Sequence, residues 1–278
     1  MMPAVTRTSI IDAFTFFNEA EICELRLRVL DAVVDTFVVV EADATHSGRR
    51  KSFNFPALLD SRLRAWRDKV LFHPVHLDLS GLDLDRKPAE FDPDSAHWTL
   101  EKAQRNGIDE ACRAFAEDDW LVISDVDEIP HPQFLQAIVA SAELAARLPV
   151  ALQQFMFYYK LTRLRKEDWR GSVVTTVGKS RALSAQWHRS QRWEMSHVEA
   201  AGWHLSFFGN AERIRTKIES FAHQEYNLDA IKSDLNIERS RAAGRDLMGR
   251  AVEVETVDET FFPRFFVEAT ANQREFFW

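Results

Sequence analysis

The sequence predicts an α/β protein with a mostly parallel central sheet flanked by helices, and three observations carry that expectation. Short apolar runs rich in β-branched and aromatic residues alternate with helical patterns over the first 150 residues. The run at 36–42 (TFVVVEA) is nearly continuously apolar, as expected of a strand covered on both faces. No Pro-, Gly- or Ser-rich linker divides the chain, so one domain over 1–278 is expected, with a ligand-binding half at about 8–130 and a second half at about 131–278.

Taken in order, 9–17 (SIIDAFTFF) reads as a strand, and Asn18-Glu19 opens a helix whose Ile22, Leu25, Val29, Leu30 and Val33 recur every three or four residues. After the 36–42 strand come a polar segment, 43–52, and a helix predicted over 56–68. A third strand is expected at 70–77, at a sheet edge because Pro74 removes a ladder donor. Residues 78–96 are acidic and loop-like, and a helix should run from about 97 to 117. The strand 120–124 (WLVIS) leads into Asp125-Val126-Asp127-Glu128, with Pro130 and Pro132 expected to stop it and Pro132 to start a helix carrying Leu135, Ile138, Val139 and Leu144. Beyond 150 the pattern changes to long aromatic runs with two clear helices, near 212–222 and 229–243. This half is expected to build onto the same sheet.

Composition narrows the function. The 278 residues are 46% hydrophobic, enough for a real core, and only 9 Gly and 9 Pro argue against low complexity. The formal net charge of −8 speaks against a general nucleic-acid binder, which needs a basic face for phosphate. Cys23 and Cys112 are too few for a disulfide framework or a zinc knuckle and read as buried thiols. No apolar stretch approaches the ~20 residues of a membrane helix, and 1–11 lacks a signal-peptide core, so a cytoplasmic protein, at most peripheral to a membrane, is expected.

Asp125 and Asp127, one residue apart at a strand end, can present hard oxygens to a divalent cation, which in turn can neutralise a diphosphate leaving group. The bland alternative is a solvated acidic turn. Haloacid-dehalogenase-like phosphatases also place Asp-x-Asp at a strand end, but they want Thr or Val where this chain has Ile129, and their motif lies near the N-terminus. A mid-chain position favours nucleotide-sugar transferases.

The chain resembles glycosyltransferase family 17, whose animal members add the bisecting N-acetylglucosamine of N-glycans. The resemblance rests on 10–53 (IIDAFTFFNEAEICELRLRVLDAVVDTFVVVEADATHSGRRKSF), QRN at 104–106, LVISDVDEIPHP at 121–132, AGWHLSFFG at 201–209 and KIESFAHQEYN at 217–227, in the family order. It implies a GT-A-like fold, a divalent metal (manganese, with magnesium as the alternative), a UDP-sugar donor, specifically UDP-N-acetylglucosamine, and inversion at the anomeric carbon. The acceptor it implies is an oligosaccharide or lipid-linked glycan. Asp125 and Asp127 match the metal and diphosphate motif, Glu41 the acidic residue that holds the nucleoside, and Phe16, Asn18 and Glu19 the turn bordering the nucleotide. The chain departs from the animal enzymes in lacking a membrane anchor, so a cytoplasmic enzyme building a surface glycan is expected.

The leaving diphosphate wants positive charge beyond the metal. Lys51, Arg105 and Lys217 are the candidates, with Arg49 and Arg50 equally readable as a solvated patch. His204 is a candidate third metal ligand or a hydrogen-bonded core histidine, and His223 ranks below it. The base that takes the acceptor proton is expected among Glu199 and Glu225, ahead of Glu194. Trp187, Trp193, Trp203 and 157–159 are mostly core, with one or two free to stack on a sugar ring. The aromatic tail at 274–278 could dock on the body, pack in an oligomer or touch a lipid-linked acceptor. Two other functions stay open, a metal-dependent phosphohydrolase and a non-catalytic nucleotide-sugar or glycan binder.

Overall fold

The computed structural model describes residues 8–278; most of the stretch inspected above for a leader lies outside them. The first half alternates as expected: β1 (Ile10–Phe16), α1 (Ala20–Leu30), β2 (Thr36–Ala42), α2 (Phe55–Asp60), β3 (Val70–Val75), α3 (Ala96–Ala111) and β4 (Trp120–Asp125). The helix predicted over 56–68 is shorter than expected, because a 3-10 turn at Arg64–Lys69 replaces its second part. The helix after the acidic loop likewise ends at Ala111 and passes into a 3-10 turn.

β3, β2, β1 and β4 lie side by side and parallel, with β3 at the edge, where Pro74 pairs opposite Glu41. Successive side chains of a strand point to opposite faces, and the core divides accordingly. Ile11 and Ala13, Val38 and Val40, Leu121 and Ile123 face Ile108 and Ala111 of α3. Phe14 and Phe16, Phe37 and Val39, Trp120 and Val122 face the other way, onto Ile22, Leu25 and Leu30 of α1. Both faces are therefore covered, which explains the near-continuous apolar run in β2.

Past β4 the chain departs from expectation. Pro130 does not end the structure but sits within a short strand, β5 (Glu128–Pro130), at the edge of a second sheet. Pro132 does start a helix, but it stops at Ala140, where the side chain of Ser141 caps a separate helix, so Leu144 belongs to the second; these are α4 (Pro132–Ala140) and α5 (Ala142–Ala146). There follow β6 (Val150–Gln153), β7 (Phe155–Tyr158), β8 (Arg163–Arg165), β9 (Arg170–Thr176), α6 (Val177–Leu183), α7 (Ala185–Gln191), β10 (His197–Val198) and β11 (Gly202–Ser206). The remainder is α8 (Ala211–Ser220), α9 (Asp229–Lys232), α10 (Asp234–Ala243), β12 (Val254–Thr256), α11 (Arg264–Thr270) and α12 (Arg274–Phe277).

Only β9, β6 and β10 extend the first sheet, in the order β10-β6-β9-β4-β1-β2-β3, with β9 antiparallel to both β4 and β6. The others form a five-stranded sheet, β12-β8-β7-β11-β5. The expectation of one shared sheet is thus corrected: the short segment Asp125–Glu128 carries the chain from one sheet to the other. One hydrophobic cluster, including Phe14, Phe157, Trp203 and Phe277, spans both.

Candidate functional site

The carboxyl end of β4 places Asp125 beyond the sheet, where ligands of open parallel sheets bind. What holds the turn there is Arg26 of α1, fully buried, which the sequence reading did not single out. Its guanidinium grips Asp12 through two hydrogen bonds of 2.6 and 2.7 Å. It also donates to Ser124 Oγ at 2.7 Å, to the Asp125 carbonyl at 3.1 Å and to the Glu128 carbonyl at 2.7 Å. An arginine in an amphipathic helix reads as a solvent-facing residue, so only the fold reveals this role.

Asp125 is enclosed by donors. Oδ1 accepts from Thr15 Oγ1 and from Arg105 Nη2, both at 2.9 Å, and Oδ2 accepts from Arg189 Nη2 at 2.9 Å. Burial alone would raise its carboxyl, but Arg189 and Arg105 hold it well below the usual range. Arg189 comes from α7, a polar helix without apolar periodicity that the sequence reading missed. It also forms a two-pronged pair with the fully buried Glu128, at 2.7 and 2.8 Å. Trp169 Nε1 donates to Glu128 at 3.0 Å. Room for this carboxylate depends on Gly171, where a Cβ would lie 2.9 Å from Glu128 Oε1 and 2.1 Å from Gln154 Oε1.

Asp127 is less occupied. Its Oδ2 accepts from Lys217 of α8 at 2.7 Å, and Glu19 stands 4.0 Å from the same ammonium. Burial would raise the Asp127 carboxyl, but Lys217 and then His204 hold it below its ordinary value. His204 of β11 turns Nδ1 to within 3.9 Å of Asp127 Oδ1 and 3.7 Å of Glu128 Oε1, too far for a hydrogen bond. That nitrogen is buried and has no hydrogen-bond partner. Burial lowers the affinity of the ring for a proton, in the direction of the unprotonated form that ligates metals. A buried, unpartnered imidazole nitrogen facing a carboxylate oxygen fits a divalent ion with two protein ligands, a number that suits magnesium-like ions bound alongside phosphates. Among the described residues no group of three or more His, Cys, Asp or Glu is arranged to hold a metal.

The remaining expected residues fall in different places. Arg105 of α3 also pairs with Glu101 at 2.9 Å and is almost wholly buried. Beside it, Gln104 donates to the carbonyls of Phe16 and Val40, tying α3 to the carboxyl ends of β1 and β2. Glu41 is fully buried and accepts from the backbone of Asn54 and Phe55 at 2.8 and 2.9 Å, and its other neighbour is Lys51. Both thus spend their charge on each other and on the start of α2. Phe16 is buried edge-on against Phe55, while Glu19 folds back onto the backbone of Asn18 at 3.0 Å. Arg49 and Arg50 pair outward with Glu219 and Asp43 and make no joint patch with Lys51.

Glu199 lies exposed in the turn between β10 and β11. Glu225 is buried, its Oε1 2.6 Å from Nδ1 of the half-exposed His223. Trp203 and 157–159 are core, whereas Trp187 and Trp193 are exposed. Arg192, beside Trp169 and Trp193, is lowered to about 9 by burial and the neighbouring Arg189. The tail docks on the body: Phe277 is fully buried and its carbonyl accepts from the Leu161 amide at 2.8 Å.

Comparison with known proteins gives a match to the model of glycosyltransferase family 17 over residues 3–262. No curated protein matches the chain. Among solved structures the chain is similar to residues 1–349 of S. aureus TarS, at 13% identity over 85% of this chain and 74% of that one, with a TM-score of 0.38. It is also similar to the WbbM bifunctional glycosyltransferase in its apo form, at 12% identity over 68% of this chain and 35% of that one, with a TM-score of 0.34. A mycobacterial protein shares 10% identity over 90% of this chain and 84% of its own, with a TM-score of 0.34.

Proposed function

The chain belongs to glycosyltransferase family 17, and from that premise we propose a metal-dependent, inverting GT-A-like enzyme that moves N-acetylglucosamine from UDP to a glycan hydroxyl. The observation that carries the reading is the pairing of Asp127 Oδ1 with the orphaned, buried His204 Nδ1 at the carboxyl end of the central sheet, ringed by Arg105, Arg189 and Lys217. Asp127 and His204 would hold the ion; Asp125 would join them only by giving up Arg105 or Arg189. Manganese or magnesium, when bound there, would supply positive charge to neutralise a diphosphate leaving group. Lys217, already on Asp127, adds a fixed cation at the same place. Arg26 holds the turn, and Arg189, with Arg105, holds the Asp125 carboxyl well below its usual range.

Inversion requires one carboxylate-supported base for the acceptor proton. Glu199 would act directly from its exposed turn, whereas Glu225, closed off by burial, would act through His223. The acceptor is proposed to be an oligosaccharide or a lipid-linked glycan. No helix among the described residues is long and apolar enough to cross a membrane, and the free, buried Cys23 and Cys112 suit a reducing compartment, which supports a cytoplasmic site of action.

A phosphohydrolase would need a free aspartate nucleophile, and every oxygen of Asp125 is already taken by a cation or a hydroxyl. The test is UDP release from UDP-N-acetylglucosamine with manganese and a pool of glycan acceptors, comparing wild type with Asp127→Asn. A loss on the order of 100-fold at unchanged melting temperature is expected; equal turnover in the variant would sink the role given to Asp127.

A further inference from the structure

Several of the buried side-chain atoms that lack a hydrogen-bond partner gather in one place, away from the Asp125–Glu128 turn. They are Ser95 Oγ and Trp98 Nε1 at the start of α3, and Glu225 Oε2 and Asn227 Oδ1 in the turn after α8. The side chain of Glu225 is only 5% exposed, so leaving its second oxygen unpaired is costly in the free protein. Around these atoms stand aromatic rings. His223 lies 4.9 Å from Trp98, and 5.8 Å from both Phe91 and Tyr226. Phe91 itself is 56% exposed, an open apolar face beside buried, unsatisfied acceptors and a donor.

Aromatic faces next to unpaired carboxylate, amide and indole groups match a ring that is apolar on its face and hydroxylated on its rim. The cluster also lies on the reactive side of the molecule. Trp98 is seven residues before Arg105, about 10 Å along α3 at the usual helical rise, and Arg105 touches Asp125. The turn holding His223 and Glu225 follows directly from α8, whose Lys217 touches Asp127. His46 ties the two sides together, its amide donating to the Ser220 carbonyl and its ring bonding Gln104. Charge at this spot is mixed, because Lys87 of the 78–96 loop donates to the Asn227 carbonyl at 3.2 Å beside the Glu225 carboxyl; the unpaired acceptors call for donors, which a hydroxylated ring offers and a diphosphate lacks.

Resting on the transferase reading, we propose that Phe91, Trp98, His223, Glu225 and Asn227 form a docking subsite for a neutral sugar ring of the acceptor glycan. The ring packs on Phe91 and Trp98, and its hydroxyls satisfy Glu225 Oε2 and Asn227 Oδ1, both enclosed in the free protein, once the half-exposed His223 ring turns aside.

The test uses the full chain with four neutral probes, the methyl glycosides of N-acetylglucosamine, mannose, galactose and glucose, read by saturation-transfer NMR and tryptophan fluorescence. UDP with manganese is titrated into the same samples. Phe91→Ala removes an exposed ring, and Glu225→Gln keeps the shape of the buried side chain, so either variant serves if the other fails to fold. At least one glycoside should bind wild type, with its Kd raised on the order of fivefold or more in the variants, while the UDP affinity stays within about twofold. Three results would overturn the proposal: no glycoside binding by a protein that binds UDP, glycoside affinities indifferent to both substitutions, or a loss of UDP affinity in the variants, which would make this a nucleoside subsite. Glycoside binding that depends on Phe91 in a protein that ignores UDP would uphold the sugar subsite and bring down the transferase reading instead.

Discussion

Burying a guanidinium is costly unless its N–H groups find acceptors, and Arg26 meets that condition with a carboxylate, a hydroxyl and three backbone carbonyls of the turn it supports, those of Asp125, Val126 and Glu128. The pair with Asp12 is fully enclosed on both sides. Arg26→Met should therefore lower the unfolding free energy by about 3–5 kcal/mol, because it strips the buried Asp12 of its partner. The double variant with Asp12→Leu should lose less than Arg26→Met by itself, a difference that urea unfolding resolves. Asp246 poses the same problem in a second place. It accepts from the buried Arg165 at 2.5 Å and from Arg250 at 2.8 Å. Burial would raise its carboxyl, but Arg250 and Arg165 bring it below its ordinary value of 3.8. A depressed carboxylate stabilises the fold above its unfolded pKa and loses that contribution as pH falls through the folded one. Asp246→Asn should thus cost about 3 kcal/mol at neutral pH. Its deficit against wild type should shrink below about pH 4, which melting curves across pH would reveal.

At the scale of elements, legibility followed the physics of each segment. β1, β2 and β4 were readable because strands covered on both faces must be apolar throughout, and Pro74 marked the edge because it cannot donate to a ladder. The Asp125 and Asp127 pair was readable because such a strand ended there. α7 was not: AQWHRSQ has no apolar stripe, since the helix serves by sending Arg189 inward, and its one local cue is the Ser184 side chain accepting from the Trp187 amide. The second sheet was hidden for another reason. Its strands are three to five residues long and draw on distant partners, as when β11 pairs with both β5 and β7. The motif at 217–227 offers Glu225 as a candidate base, but its enclosure beside His223 is a tertiary fact that spacing does not encode.

For the molecule as a whole, one cluster binds the two sheets, and the C-terminal segment closes it. Phe277 is fully buried, the Leu161 amide donates to its carbonyl, and Trp278 Nε1 donates to Thr270 at 2.9 Å. Phe276 reaches further, lining a small cavity with Asn18, Glu19 and Lys217 beside the proposed donor site. Packing thus couples the tail to the site. Phe277→Ala should destabilise the protein by about 3–5 kcal/mol through lost transfer energy and the cavity left behind. Calorimetry would check this, and a loss below about 1 kcal/mol would mean that the segment merely rests on the surface.

We propose that Asp127 and His204 prepare this crevice for a metal-bound UDP-sugar. This proposal is tested most directly by thermal melting with UDP-, GDP- and CMP-sugars, each with and without manganese. A ligand that binds only the native state raises the melting temperature by mass action. A manganese-dependent rise is expected with UDP-N-acetylglucosamine, absent with the GDP- and CMP-sugars and abolished in Asp127→Asn. A rise of equal size without manganese, or with Asp127 replaced, would contradict it.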